Sequence, residues 1–463
     1  MLNQKIHPSV SDSCPNTPSV PAEDSASPVS HPSWLFSAHP EKKKKEDKKK
    51  KQKKKNKKKA LNGLSDTLFE ANNKTGNMLA EVMKHSGELV LVNDELWSYC
   101  DDDGCFHKCS YTKVAQHLRD TLPFEDQLKI SSRDYKESYE QLRISGELVY
   151  EDGFFENRPY VNCLNGVVDV LNGTLLEHSS KYLFKHCIHA EYLPDSKCPK
   201  FLKYIDCITD GNKDMKHLLR VMIGYICSHY NNAKKACLIY GIPHTGKSVL
   251  CNVIERIVGK DYTCHVDLCM LQKQEYATAL SEKLLNIAPD LKNEALKDVG
   301  FFKSLVSHDD KISARALYSN PQDIKCETKM LFSSNHLLTF DSSLDIFDIE
   351  AVFNRLIYIP FLNRPISDKE DNKHLSDDIF EERDAIFTWA MKGLKDYIEN
   401  NECFPKAKPS EKTKAKNMAK YCPEKVFFEE CIKVEDGVYA SSSAIKEAYE
   451  KFCFDTDAEL TTH

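Results

Sequence analysis

At 463 residues the chain exceeds one ordinary domain and predicts two or three. With 41% hydrophobic and 29% charged residues it can build cores, and no apolar run approaches the roughly 18–20 residues of a membrane span. The start, MLNQKIHPSVSD, has no apolar signal region, so membrane-spanning and secreted classes are excluded and an intracellular protein is expected. The net charge of −6 conceals an asymmetry: residues 41–59 hold 14 lysines against 3 acids, a surplus of 11, and residues 1–40 run a deficit of 2, which leaves −15 on the remainder. A body that acidic does not bind nucleic acid at large, so DNA contacts must rest on local basic features.

In chain order, residues 1–40 are rich in Pro and Ser, and EKKKKEDKKKKQKKKNKKK follows. Neither can bury a core, so residues 1–60 read as a disordered basic tail. The lysine block reads equally as a solvated tether or as a phosphate-binding or nuclear-targeting tail; the chain is placed in the host cytoplasm, or the nucleus of a eukaryotic host. Eighteen cysteines are scattered singly, with no Cys-x-x-Cys pair, as expected of small buried side chains kept reduced. Their one cluster is CDDDGCFHKC, with Cys100, Cys105, His107 and Cys109. It reads as a hairpin with an Asp-Asp-Gly tip, since the spacing is unlike a zinc knuckle.

Residues 61–198 mix helical patterns with short strands and are expected to form a mainly helical domain. In DMKHLLRVMIGYICSHY, residues Met215, Leu218, Leu219, Met222 and Ile226 recur at helical spacing. Then LIYGIPHTGKSVL raises the central question. Ala236 to Tyr240 reads as a buried strand; Val249, Leu250, Val253, Ile254, Ile257 and Val258 recur at helical spacing, and Gly259 supplies a stop. The segment between them, Gly241, Ile242, Pro243, His244, Thr245, Gly246, Lys247 and Ser248, fits G-x-x-x-x-G-K-[ST] in its required strand–helix setting. Glycines let backbone N–H groups approach phosphate oxygens, the helix start adds its positive dipole end, Lys247 adds a point charge, and Ser248 can ligate Mg2+. ATP and Mg2+ are the expected ligands.

Hydrolysis requires more. EKLLNIAPDL is a strand leading to Asp290, TKMLFSSNH a strand leading to Asn335, and FNRLIYIPF places Arg355 before a third strand. Singly, these read as a loop carboxylate, a turn former and a surface arginine. Their order suggests a parallel sheet whose polar strand ends converge on one crevice.

These motifs resemble the superfamily 3 helicases, in particular the phage, plasmid and poxvirus-type primase–helicase branch. VNCLNGVVDVLNGTLLEHSSKYLF, CPKFLKYIDCITDG, SHDDKISARALYSNP and ERDAIFTWAMKGLKDYIEN, the last with Trp389 and Gly393, resemble further segments of that branch, and the likeness spans about residues 85–453. The resemblance implies an α/β, AAA+-like P-loop ATPase core over 199–375, a helical region with an abbreviated winged helix over 376–463, and homo-hexameric rings on DNA. It makes Asp290 the acid that holds Mg2+ with Ser248, Asn335 the sensor, and Arg355 an arginine acting on a neighbour's ATP. It also makes ISARALY and DIKCETK a hairpin turning at Ser319-Asn320-Pro321, with Lys311, Arg315 and Lys325 as phosphate contacts. Pro289 stands where many relatives carry a second acid, and Glu294 is a weak substitute. Primer synthesis is expected from a separate primase or polymerase. An ATP-dependent DNA helicase is the leading reading; a nucleotide-gated clamp or loader without efficient hydrolysis, and a small-molecule kinase, are the alternatives.

Overall fold

The computed structural model describes residues 75–463 apart from 151–158, 272–273, 292–293, 308–310, 315–321, 364–371, 436, 438, 457 and 459–463. The basic tail, Arg315 and the turn at Ser319-Asn320-Pro321 lie outside them. Helices of eight or more residues are numbered here.

The described chain opens with α1 (Thr75–Ser86), then an antiparallel sheet of β1 (Leu89–Val92), β2 (Glu95–Cys100) and β3 (Cys105–Lys108). The expected hairpin is present, with Cys100 opposite Cys105 across a turn of Asp101 to Gly104. Helices α2 (Tyr111–Thr121) and α3 (Ser132–Arg143) follow, the latter opened by a reciprocal capping box between Ser131 and Asp134. A second antiparallel sheet contains β4 (Tyr160–Cys163), β5 (Gly166–Asp169) and β6 (Thr174–Leu176). The region is therefore mixed rather than mainly helical. Alternate residues of each sheet enter different cores: Leu91 and Leu96 of the first pack with α1 to α3, Val161 and Val168 of the second join the core of the following region, and Trp97, Phe106, Val167 and Phe184 pack together in a cluster that both sheets share.

Next come α4 (Pro199–Ile208), α5 (Lys213–Ile226), β7 (Ala236–Tyr240), α6 (Lys247–Val258), β8 (Thr263–Cys264), β9 (Leu285–Ala288) and α7 (Val299–Ser307). The hairpin strands β10 (Lys311–Ala314) and β11 (Gln322–Lys325) precede β12 (Lys329–Ser334), α8 (Ile346–Phe353) and β13 (Leu356–Pro360). Helices α9 (Arg383–Glu399), α10 (Lys408–Ala419), α11 (Pro423–Cys431) and α12 (Ser442–Thr456) complete the described chain. Among the described residues after β13 there is no strand to form a wing.

Five strands make one parallel sheet in the order β13-β7-β12-β9-β8. Side-chain alternation divides it between two cores. Cys237, Ile239, Ile287, Leu331, Ile357 and Ile359 face a core shared with α4, α5, α6 and α9. Ala236, Leu238, Met330, Phe332, Leu356 and Tyr358 face the other, shared with α7, α8, α10 and α11. Burial of both faces explains why the strands read as continuous apolar runs. The first core extends from Val161 to Ala407, so the expected boundaries at 198 and 375 fall within continuous packing.

Helices α5 and α9 touch through their backbones. A Cβ on Gly224 would lie 2.3 Å from the Ala390 carbonyl oxygen, and one on Gly393 would lie 2.2 Å from that of Arg220. Only glycine permits that approach. No helix among the described residues is long and apolar enough to cross a membrane.

Candidate functional site

The site sits at the carboxyl edge of the parallel sheet, where open α/β sheets bind ligands. Strand β7 ends at Tyr240, and the chain turns through Gly241 to Gly246 before α6 begins at Lys247. Gly246 has φ 94° and His244 φ 60°, so the loop includes left-handed residues. A Cβ on Gly241 would stand 3.0 Å from the Cβ of Phe361, which follows β13. The loop is held from outside as well: Tyr204 of α4 donates to the Gly246 carbonyl at 2.9 Å, and Asn363 Nδ2 donates to the Thr245 carbonyl at 3.1 Å. Thr245 is buried and donates to the Ile242 carbonyl at 2.9 Å.

The backbone N–H groups of Thr245, Gly246, Lys247 and Ser248 donate to no acceptor among the described residues. Four successive donors at a helix start, with no protein side chain capping them, form an anion cradle. The Ser248 side chain stands exposed at the second helical position.

Lys247 is 8% exposed. Its ammonium donates to the Gly241 carbonyl (2.6 Å), the Ile242 carbonyl (2.9 Å) and Asn335 Oδ1 (2.7 Å). Burial pulls its pKa below the ordinary lysine value, against the attraction of Asp290. Asn335 directly follows β12, and its Nδ2 donates to Asp290 Oδ1 at 3.4 Å. Asp290 lies two residues beyond β9 and is exposed. Three separate strands thus bring lysine, amide and carboxylate into one hydrogen-bonded chain. Glu294 is exposed and has no hydrogen bond to Lys247, Asn335 or Asp290 among the described residues.

Arg355 does not join it. It precedes β13, and in a parallel sheet a residue before a strand lies at the amino edge, about 17 Å of strand from the cradle. There Nη1 donates to the Ala351 carbonyl at 3.0 Å, and the buried Nε has no partner among the described residues. Asn363 is the polar residue that β13 does deliver to the carboxyl edge. The strand-end rule that singled out Asn335 would have found it, whereas Tyr204 carried no local signal. Lys311 and Lys325 occupy directly opposed positions of the β10–β11 ladder.

Two family profiles match the chain. One, described as D5 N terminal like, covers residues 112–210; the other, a family of unknown function (DUF5906), covers residues 239–346 and so includes the cradle, Asp290 and Asn335. An uncharacterized mitochondrial protein, ymf21, of Marchantia polymorpha is 31% identical over 81 residues, 18% of this chain and 45% of that protein. A putative helicase, L207/L206, of Acanthamoeba polyphaga mimivirus is 24% identical over 243 residues, 50% of this chain and 25% of that protein. The chain therefore spans less than half the length of either relative. The apo structure of the NrS-1 C terminal region aligns over 82% of this chain and 86% of that one, with 13% identity and a TM-score of 0.45. The chain is thus similar in its N-terminal part to D5-type sequences and in half its length to a putative viral helicase.

Proposed function

We propose that this chain is an ATP-dependent DNA helicase of a viral, phage or plasmid-like replicon, of the superfamily 3, AAA+-like kind. The observation that carries this reading is the convergence of Lys247, Asn335 and Asp290 beside four N–H donors with no acceptor among the described residues. A turn that merely spelled the motif would not gather a buried cation, an amide and a carboxylate from three strands.

In this reading the loop from Gly241 to Ser248 cradles the phosphates, and Lys247 exchanges the Gly241 and Ile242 carbonyls for phosphate oxygens. Asn335, already between Lys247 and Asp290, orients the groups around the terminal phosphate. Ser248 and Asp290, a hydroxyl and a carboxylate both open to solvent, suit a hard cation. Bound there, Mg2+ would neutralise developing charge on the phosphates. Arg355 would act on the ATP of the next subunit in a homo-hexameric ring, a role supported by its place at the opposite edge from its own chain's cradle. The β10–β11 hairpin would carry DNA contacts through Lys311, Arg315 and Lys325.

The mimivirus relative's description as a putative helicase supports this assignment. A separate primase or polymerase would complete the replication machinery. One observation favours a second reading, a nucleotide-gated clamp: Pro289 directly precedes Asp290, where a second acid would stand beside the first.

The test is ATP hydrolysis with and without DNA, in the parent and in Lys247→Ala, Asp290→Ala and Arg355→Ala. A motor gives DNA-stimulated turnover that all three substitutions abolish. Binding of ATP without turnover on any DNA would replace the helicase with the clamp.

A further inference from the structure

Away from the cradle, one group of metal-ligating side chains stands together among the described residues. The ligand atoms of Cys100, Asp103 and His107 all lie within 4.8 Å of one another, and each residue is partly open to solvent. Cys100 ends β2, His107 lies in β3, and Asp103 sits in the turn between them. This set keeps Cys100 and His107 of the cluster visible in the sequence but takes Asp103 in place of Cys105 and Cys109. Cys109 is buried in a separate cluster with Leu96, Val114 and Leu118, and the Cys105 sulfur accepts from Asn162 Nδ2 at 3.2 Å.

Asp103 is positioned from several sides. Its Oδ1 accepts from the Cys105 N–H at 3.0 Å, and its carbonyl accepts from Asn162 Nδ2, in β4, at 2.8 Å. The next residue, Gly104, has φ 69°, and a Cβ there would stand 2.5 Å from the His178 ring. These contacts aim Oδ2 at His107 Nε2, 2.8 Å away. Buried neighbours that orient a carboxylate in this way are the outer shell a metal ligand requires. Exposed Asp101 and Asp102 add negative potential beside the group.

We propose that Cys100, Asp103 and His107 bind one Zn2+ ion, with water at the fourth position. Thiolate, imidazole and carboxylate together are the donor set zinc takes, and three protein donors leave a tetrahedral position open. Tetrahedral bonds of about 2.0–2.3 Å hold donors about 3.3–3.8 Å apart, a spread that small side-chain rotations reach from this starting geometry. The ion replaces the hydrogen bond between Asp103 Oδ2 and His107 Nε2, with the imidazole neutral and its proton on Nδ1. The Cys100 thiol releases its proton to solvent as the sulfur–zinc bond forms. Thiolate and carboxylate then balance the dication. The bound ion ties both ends of the β2–β3 turn together and, through Asp103, fastens them to Asn162.

The full chain, stripped of metal and titrated with Co2+, tests this. The expected result is thiolate-to-cobalt charge-transfer absorption in the parent and in Cys109→Ala, and its loss in Cys100→Ala. His107→Gln, a substitution at a partly exposed side chain, lowers zinc affinity at least about tenfold while the unfolding curve of the metal-free protein stays close to that of the parent. Equal cobalt spectra and zinc affinities in parent, Cys100→Ala and His107→Gln would overturn the proposal, since the metal would then sit elsewhere. So would the absence of any cobalt charge-transfer band in the folded parent.

Discussion

The two edges of the parallel sheet use the same residue types to opposite ends. At the amino edge, cations accept structural positions. Arg355 donates to the Ala351 carbonyl in the last turn of α8, and Lys235 donates to the carbonyl of Asn354, which caps that helix. Lys329 donates to the Ser228 carbonyl just beyond α5 at 2.5 Å, and Lys283 to the Asp261 carbonyl at 2.6 Å. Cations near helix C-termini satisfy orphan carbonyls and complement the dipole. At the carboxyl edge Lys247 does the reverse. It opens α6, where the dipole disfavours a cation, and it is buried there. Local physics explains the amino-edge cations without a ligand; it explains Lys247 only if an anion arrives.

The largest expected effect breaks that contrast at Arg355. If it only caps α8, Arg355→Ala leaves turnover intact and costs about 1 kcal/mol of stability. If it acts on a neighbour's nucleotide, turnover falls by about 10³-fold or more. Mixing inactive Arg355→Ala with inactive Lys247→Ala then restores part of the activity, because some interfaces pair an intact arginine with an intact cradle. Steady-state ATPase of the mixture against each parent separates the cases. No recovery at any ratio removes the trans role.

A second effect belongs to the amino edge alone. His186 Nε2 donates to the Glu282 carbonyl at 3.0 Å and the ring stacks on His229, with Lys185 and Lys329 nearby. Burial, helped by those lysines, pushes the His186 pKa down to about 3 from the ordinary 6.5. The folded protein holds the ring neutral while the unfolded chain protonates it below 6.5. The stability it contributes is therefore complete above pH 6.5 and is lost progressively as the pH falls toward 3, on the order of a few kcal/mol. Urea unfolding across that range should show the slope, and His186→Phe should reduce it, leaving the part due to the stacked His229, whose pKa burial also lowers, while the ATPase pH profile, set at the other edge, keeps its shape.

Stability alone distinguishes the edges by sign. Lys329→Met leaves the buried Ser228 carbonyl without its cation and should cost about 1–3 kcal/mol. Lys247→Met removes a buried cation from the positive end of a helix; the half-exposed Ile242 carbonyl and Asn335 amide can turn to water, and the buried Gly241 carbonyl offsets part of that gain. It should leave the nucleotide-free protein as stable as the parent or more stable by up to about 1 kcal/mol. Equal destabilisation by the two substitutions would mean that Lys247 is held for the fold and not for a ligand.

The sequence reading succeeded where the signal was local. Strand β7, the loop and α6 follow one another within about twenty residues, and apolar runs located β9, β12 and β13, so Asp290 and Asn335 could be placed from their position after a strand. Arg355 was grouped with them because order along the chain was read as convergence in space, but a residue before a parallel strand belongs to the far edge. The region before residue 198 read as mainly helical because strands of three to six residues hold too few alternations to compete with a helical repeat. The Cys100, Asp103 and His107 group was hidden for a different reason. Its carboxylate is not part of a cysteine pattern, and only the turn geometry at Gly104 brings it in.

The smallest effect tests what long-range contacts add to the cradle. Tyr204 and Asn363 reach it from 42 and 118 residues away, and each bonds a loop carbonyl rather than an N–H group or side chain assigned to phosphate or Mg2+. Tyr204→Phe removes one neutral hydrogen bond, to the Gly246 carbonyl, and Asn363→Ala removes another, to the Thr245 carbonyl; each should cost about 1 kcal/mol of loop order. If the loop must be held in shape before ATP arrives, that cost appears as a rise in KM of about fivefold with kcat little changed, because the ordering free energy is drawn from binding. The two carbonyls belong to adjacent residues, so the two effects should couple rather than simply add. A fall in kcat with KM unchanged would instead place these residues in the chemical step, and the cradle would then extend to β13 as well as to β7, β9 and β12.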